Sequence, residues 1–178
     1  MGGVWRESRS IADLGQNMAL WLEGRGPAWP GYGADFGYEE EADVRHLVPV
    51  LAAAGRAGFV TTCSQPGYES GGTRQRAWVE GIVHDRNPLL GRLLGLERQG
   101  FTVIRGSRTP HLVLTEEDGH PFTTLGYRAR RDWMAREWHG VSRHALRELR
   151  QHGVTLHLID MTWGRDNRLW PALANAVR

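Results

Sequence analysis

The 178-residue sequence has no lysine: all 22 basic residues are arginine. This excludes every chemistry that needs a side-chain amine. P-loop NTPases and protein kinases lose the lysine that reaches the phosphates, and pyridoxal enzymes and Schiff-base aldolases lose the group that condenses with a carbonyl. Cysteine is almost as scarce. With Cys63 alone, the chain can form no internal disulfide, CxxC redox pair, thiolate zinc knuckle or iron–sulfur cluster. No apolar run approaches the ~18 residues of a membrane span, and MGGVWRESRS has no apolar block of the kind a secretory leader carries. A cytoplasmic, soluble protein is expected.

Arginine without lysine also marks a high-GC coding bias, so the arginine count is poor support for nucleic-acid binding, and the formal charge is only +2. Charge is nonetheless uneven. Residues 1–43 carry eight acids against three arginines, and residues 44–178 twelve against nineteen. An acidic arm over a basic body is one reading; a solvated loop is the other.

Ser10 and Asp13 form a capping pattern ahead of Ile11, Leu14, Met18 and Leu22, which predicts a helix over 11–23. Residues 24–42 are rich in glycine and proline yet contain Trp29, Tyr32, Phe36 and Tyr38, so an irregular strap over the body is expected. A second helix is expected over 44–56, starting near His46 so that Pro49 falls in its first turn. Strands follow at 59–62 and 77–84, joined by the loop SQPGYESGGTRQR. Asn87-Pro88 opens a helix that Gly100 closes, and Gly91 and Gly95 within it suggest a close approach by another element. Further strands are expected at 101–105, 111–115 and 121–127, the last two joined by the turn EEDGH. Helical segments from Asp132 and from Ser142, a strand at 154–161 and a helix near 167–177 complete the chain. The order ααββαβββαβα predicts one α/β domain over 1–178, with α+β as the variant: a mixed sheet of about six strands with helices packed on it.

Counting strand directions gives two rims. The upper rim collects Ser64, Gln65, Arg74, Gln75 and Arg76, with Cys63 beside them. The glycines of the loop free backbone amides there, and an arginine fork suits a carboxylate or phosphate. These five residues are the expected ligand site. The last crossover makes the final strand parallel to the one before it, so Asp160, Trp163 and Arg165 are expected on the opposite, lower rim with His84 and Asp85. Asp160 ends an apolar face and needs a partner, with Arg165 in reach. Cys63, Asp160, Trp163 and Arg165 are secondary candidates. Cys63 has no histidine tied to it by a motif, and lone cysteines usually serve packing. His139 and His144 do not share a helix face, and His84-Asp85 lacks the other ligands of an HD site, so neither a metal nor a cofactor is expected.

Three segments, FVTTCSQPG (59–67), RQRAWVEG (74–81) and WGRDNRLWP (163–171), resemble a family of small uncharacterised actinobacterial proteins of unknown function. The resemblance runs from about Ala12 to the end, with residues 100–150 matching less well. It implies Ser64, Gln65, Gln75 and Arg76 as the family's shared positions and carries no activity or cofactor. No motif fixes a reaction or decides whether the protein is an enzyme. The first reading is binding of a small anionic or nucleotide-like ligand, with hydrolase or transferase chemistry as its extension. The alternative is a non-enzymatic interaction or regulatory module that meets a partner through 24–42. Nucleic-acid binding through Arg128, Arg130, Arg131, Arg136, Arg143, Arg147 and Arg150 ranks last, because Asp132, Glu137 and Glu148 dilute that run.

Overall fold

Strand β3, Thr73–His84, is the axis on which the other strands assemble. The structure is a computed structural model that describes residues 3–31, 42–106, 111–126 and 138–178. In chain order the helices are α1 (Gly3–Glu7), α2 (Ile11–Leu22), a 3-10 turn (Ala42–Leu47) running into α3 (Val48–Arg56), α4 (Leu89–Leu94) with a 3-10 extension (Gly95–Gln99), α5 (Arg143–His152) and α6 (Leu169–Ala176). The strands are β1 (Phe59–Gln65), β2 (Tyr68–Ser70), β3, β4 (Thr102–Arg105), β5 (Leu112–Glu117), β6 (His120–Leu125) and β7 (Gly153–Trp163). The expected class, helices packed on one sheet, is what forms.

Local chemistry explains most boundaries. The Ser10 hydroxyl accepts the Asp13 N–H while the Asp13 carboxylate accepts the Ser10 N–H, the reciprocal capping box. Pro49 lies in the first turn of α3, where its missing N–H leaves no helical bond unmade. Asn87 Oδ1 accepts the Leu89 N–H at 2.9 Å to start α4, and Gly100 ends the extension at φ 87°. The expected close approach at Gly91 does not occur: a Cβ there would meet nothing within 4 Å. Leu89, Leu93 and Leu96 carry the packing of this segment instead.

All the described pairings are antiparallel. The sheet runs β4-β7-β3-β5-β6, with β1 and β2 also on β3. Two hairpins have two-residue turns with both residues at positive φ, Gly71-Gly72 and Asp118-Gly119, matching the twist of the strands they join. The first of them encloses β2, a strand the loop's composition conceals.

The expected direction of the last strand is wrong. The crossover β3–α4–β4 leaves β3 and β4 running the same way with a gap one strand wide. β7 fills that gap antiparallel to both, so Trp163 pairs with Arg76. The lower rim keeps His84 and Asp85 but loses Asp160, Trp163 and Arg165 to the upper one.

Alternation along β3 divides the interior. Val79, with Leu156 and Leu158 of β7 and Phe59 of β1, joins the large core beneath the helices, where Trp5, Leu14, Met18, Leu51 and Leu173 are buried. The opposite face carries a small separate cluster of Trp78, Leu114 and Ile159, flanked by Ile104, Leu112 and Leu125. Of the aromatic residues of 24–42, Trp29 is buried with its ring centroid 5.0 Å from that of Trp138. Tyr32, Phe36 and Tyr38 lie outside the described residues, as do Asp132 and the helix expected to start there.

Candidate functional site

Both candidate groups meet at one end of β3, because β7 brings its C-terminal end to Arg76. Among the described residues, the five expected ligand residues divide between the two faces of the sheet. Ser64 pairs with Val79, on the face toward the large core, whereas Gln65 pairs with Trp78 on the other. Gln65 Nε2 donates to the carbonyl oxygens of Arg76 at 2.9 Å and Leu114 at 3.3 Å. Gln75 Nε2 donates to the Pro66 carbonyl at 2.8 Å. The Thr115 hydroxyl lies 3.4 and 3.5 Å from the two amide oxygens, and its single proton serves one at a time. Arg74 holds Glu116 through Nε at 2.7 Å and Nη2 at 2.6 Å. These groups bind the two halves of the sheet to each other.

The secondary candidates are likewise engaged. Asp160 is 0% exposed and grips Arg165 in a fork, Oδ2 to Nε at 2.8 Å and Oδ1 to Nη2 at 2.7 Å, with the Thr162 N–H also on Oδ1. Burial pushes its carboxyl up, but the Arg165 bonds and the Thr162 N–H outweigh that and hold it below the ordinary carboxylate range. Such a carboxylate stays ionised and is a poor proton donor. Cys63 is exposed and pairs with Glu80 across the ladder.

Sequence reasoning missed Asp166. Its Oδ1 accepts the Gly67 N–H and the Trp170 indole N–H, each at 2.7 Å, and its Oδ2 meets His46 Nε2 at 2.7 Å. Gly67 is required there because a Cβ would run into the Arg165 backbone. An aspartate between Arg165 and Asn167 reads in sequence as solvated charge, so no signal marked it.

Arg76 differs from its neighbours. Nη1 donates to the Val113 carbonyl at 2.7 Å, and the guanidinium lies 3.9 Å from the Trp163 ring centroid, with Arg74 at 4.9 Å from the same ring. Its Nε is buried without an acceptor. Burial lowers its pKa, Glu116 offsets part of that, and Arg74 adds to it. Trp78, next on the same face, is 5% exposed with Nε1 also lacking an acceptor. Beside them is His157, 4% exposed and stacked on Trp78 at 6.2 Å. Its Nδ1 lies 3.4 Å from Glu80 Oε2 but is not aligned as a hydrogen bond. Glu80 Oε1 instead accepts the Thr62 hydroxyl at 2.9 Å. Burial lowers the His157 pKa despite Glu80 and the Gly106 backbone, so the ring is neutral at pH 7. With the ring proton on Nε2 toward the Gly106 backbone, His157 Nδ1 is an unbonded acceptor, so two buried donors without acceptors, Arg76 Nε and Trp78 Nε1, share this strip with it.

The whole chain, residues 1–178, matches the family described as a domain of unknown function (DUF6919). The chain belongs to that family. No curated protein matches it. Among the described residues, no helix of this DUF6919 protein is long and apolar enough to cross a membrane.

At the other end of β3, the fold gathers what spacing alone could not. His84 and Asp85 meet His152, the last residue of α5, and their potential metal-ligating atoms all lie within 4.8 Å of one another. Arg143, Arg147 and Arg150 are exposed on α5; the other four arginines of the basic run lie outside the described residues.

Proposed function

We propose that this DUF6919 chain binds a small, acceptor-rich anion on the strip formed by Arg76 and Trp78, beside His157. The observation behind this reading is the pair of buried donor nitrogens without acceptors, Arg76 Nε and Trp78 Nε1. Each such donor costs about 1–3 kcal/mol relative to a bonded one, and folded proteins leave few of them. A carboxylate or phosphate supplies several acceptors at once, and Arg76 adds positive charge against the Trp163 face. The β5–β6 hairpin covers Trp78 with Leu112, Leu114 and Leu125, so entry requires the hairpin to swing. The ligand then replaces the Val113 carbonyl on Arg76. No catalytic step is assigned.

The test is a thermal-shift series with inorganic phosphate, citrate and nucleoside monophosphates on wild type, Arg76→Gln and Trp78→Phe. At least one probe raises the wild-type melting temperature, and raises both variants less. No shift with any probe, or equal shifts in all three proteins, overturns the reading.

A second reading, the non-enzymatic interaction module, draws on Phe122 and Tyr68. They are 68% and 49% exposed, both on the half of the sheet formed by β2, β3, β5 and β6. A photocrosslinker at Phe122 captures a partner of defined mass if that half is an interface, whereas one at Arg143 does not. Equal capture at both positions removes this reading.

A further inference from the structure

We propose that His84, Asp85 and His152 form a binding site for one divalent transition-metal ion of the zinc type, a site separate from the anion strip. Asp85 Oδ1 lies 3.0 Å from His84 Nδ1 and Asp85 Oδ2 lies 3.3 Å from His152 Nδ1. Adjacent ligand atoms on an ion with bonds of about 2.1 Å stand about 3.0–3.4 Å apart, so both separations match a shared cation.

The hydrogen bonding shows what an ion would displace. His84 Nδ1 accepts the Arg86 backbone N–H at 3.0 Å. In that tautomer His84 and Asp85 present two acceptors to each other at 3.0 Å, a repulsive contact that a positive ion converts into two bonds. The Arg86 N–H then yields the lone pair to the ion. The His152–Asp85 contact, an ordinary hydrogen bond without metal, becomes a second imidazole ligand beside the same carboxylate.

The backbone holds this set in place. The Asp85 N–H donates to the His152 carbonyl at 2.8 Å, and the Asn87 N–H donates to the His84 carbonyl at 2.9 Å. The two imidazole rings already face each other, 4.9 Å apart and 9° from parallel. Glu148, one helical turn before His152 on α5, reaches within 3.7 Å of His84 Nε2. It stands on the side of the ring away from the proposed ion, where a carboxylate orients a ligating imidazole through its other N–H. Two imidazoles with a carboxylate suit zinc, nickel or copper, whereas magnesium and calcium prefer oxygen alone. All three side chains are partly exposed, so water can complete the coordination. The ion would clamp the end of α5 to the end of β3.

Calorimetric titration of the full-length protein with zinc chloride, in chelator-free buffer at pH 7.5, tests this. Wild type binds one equivalent, His152→Ala and Asp85→Asn weaken binding by about tenfold or more, and His144→Ala on the exposed side of the same helix binds as wild type does. Circular dichroism establishes that each variant is folded. Cobalt provides a second readout: a visible absorption band that wild type shows and His152→Ala lacks. Absence of saturable zinc binding, unchanged affinity in His152→Ala, or magnesium binding as tightly as zinc would each overturn the assignment.

Discussion

Asp160–Arg165–Asp166 and Arg76–Trp78, with His157 further along β7, are neighbouring parts of one sheet, yet they handle buried polarity in opposite ways. In the first, each carboxylate meets defined donors: Arg165 and the Thr162 N–H on Asp160, and Gly67, Trp170 and His46 on Asp166. In the second, an arginine, an indole and an imidazole each keep a buried nitrogen with no hydrogen-bond partner. The first corner has the polar arrangement of a structural brace, tying the end of β7 and the residues after it to the loop between β1 and β2. The second is the strip on which we propose that an anion binds. A polar cluster is informative about binding through what it leaves unbonded, and a count of its charges misses this.

The largest expected effect comes from breaking the brace. Asp160→Ala strands a guanidinium beside a buried gap. Removing one partner of a fully buried pair costs about 3–5 kcal/mol. The Arg165 side chain keeps 33% of its surface exposed, which lowers the expectation to about 2–3 kcal/mol in urea denaturation. A loss below about 0.5 kcal/mol, the scale of an ordinary surface change, would mean that the brace does not hold the fold.

The next effect is in pH dependence, where the two regions separate again. The folded-state pKa of His157 lies below its ordinary 6.5. As pH falls through that value the unfolded chain takes up a proton that the folded chain does not. Stability is therefore full above pH 6.5 and declines below it, by at most about 1.4 kcal/mol per pH unit. His157→Gln flattens that part of the profile relative to wild type; an unchanged slope contradicts the buried neutral ring. Asp160, held below its ordinary 3.8, keeps its contribution above that value and loses it only as pH falls further. The two losses thus occupy different windows.

The smallest effect is the most specific. Trp78→Phe removes an unbonded donor but keeps an aromatic ring over Ile159 and Leu114, so ligand-free stability changes by less than about 1 kcal/mol in either direction. Trp170→Phe, which takes a bonded indole from Asp166, destabilises more than Trp78→Phe does. If the order is reversed, the contrast between the regions fails.

Much of this fold was legible because its determinants are local. The Ser10–Asp13 box, Pro49 in the first turn of α3, Gly100 at a helix end and the Asp118-Gly119 hairpin each follow from a few adjacent residues. The antiparallel neighbours on either side of the glycine-rich loop were legible too. The direction of β7 was not. It depends on a gap between β3 and β4 that only the assembled sheet creates, and that error put Asp160, Trp163 and Arg165 on the wrong rim. Arg76 could be nominated from sequence, but its partners on β5 and β7 are 37 and 87 positions away. Trp78 and His157 sit in alternating strand patterns where a core residue is the natural reading. His152 ends a helix whose distance from His84 no spacing rule connects.

The most direct test of the anion strip is a side-chain ¹H–¹⁵N spectrum titrated with inorganic phosphate, citrate and adenosine monophosphate. The account predicts that at least one probe moves the Trp78 indole and Arg76 Nε resonances together, while the Trp170 indole, already bonded to Asp166, stays fixed. If no probe moves Trp78, or if Trp78 and Trp170 move alike, the unbonded donors are not a ligand site.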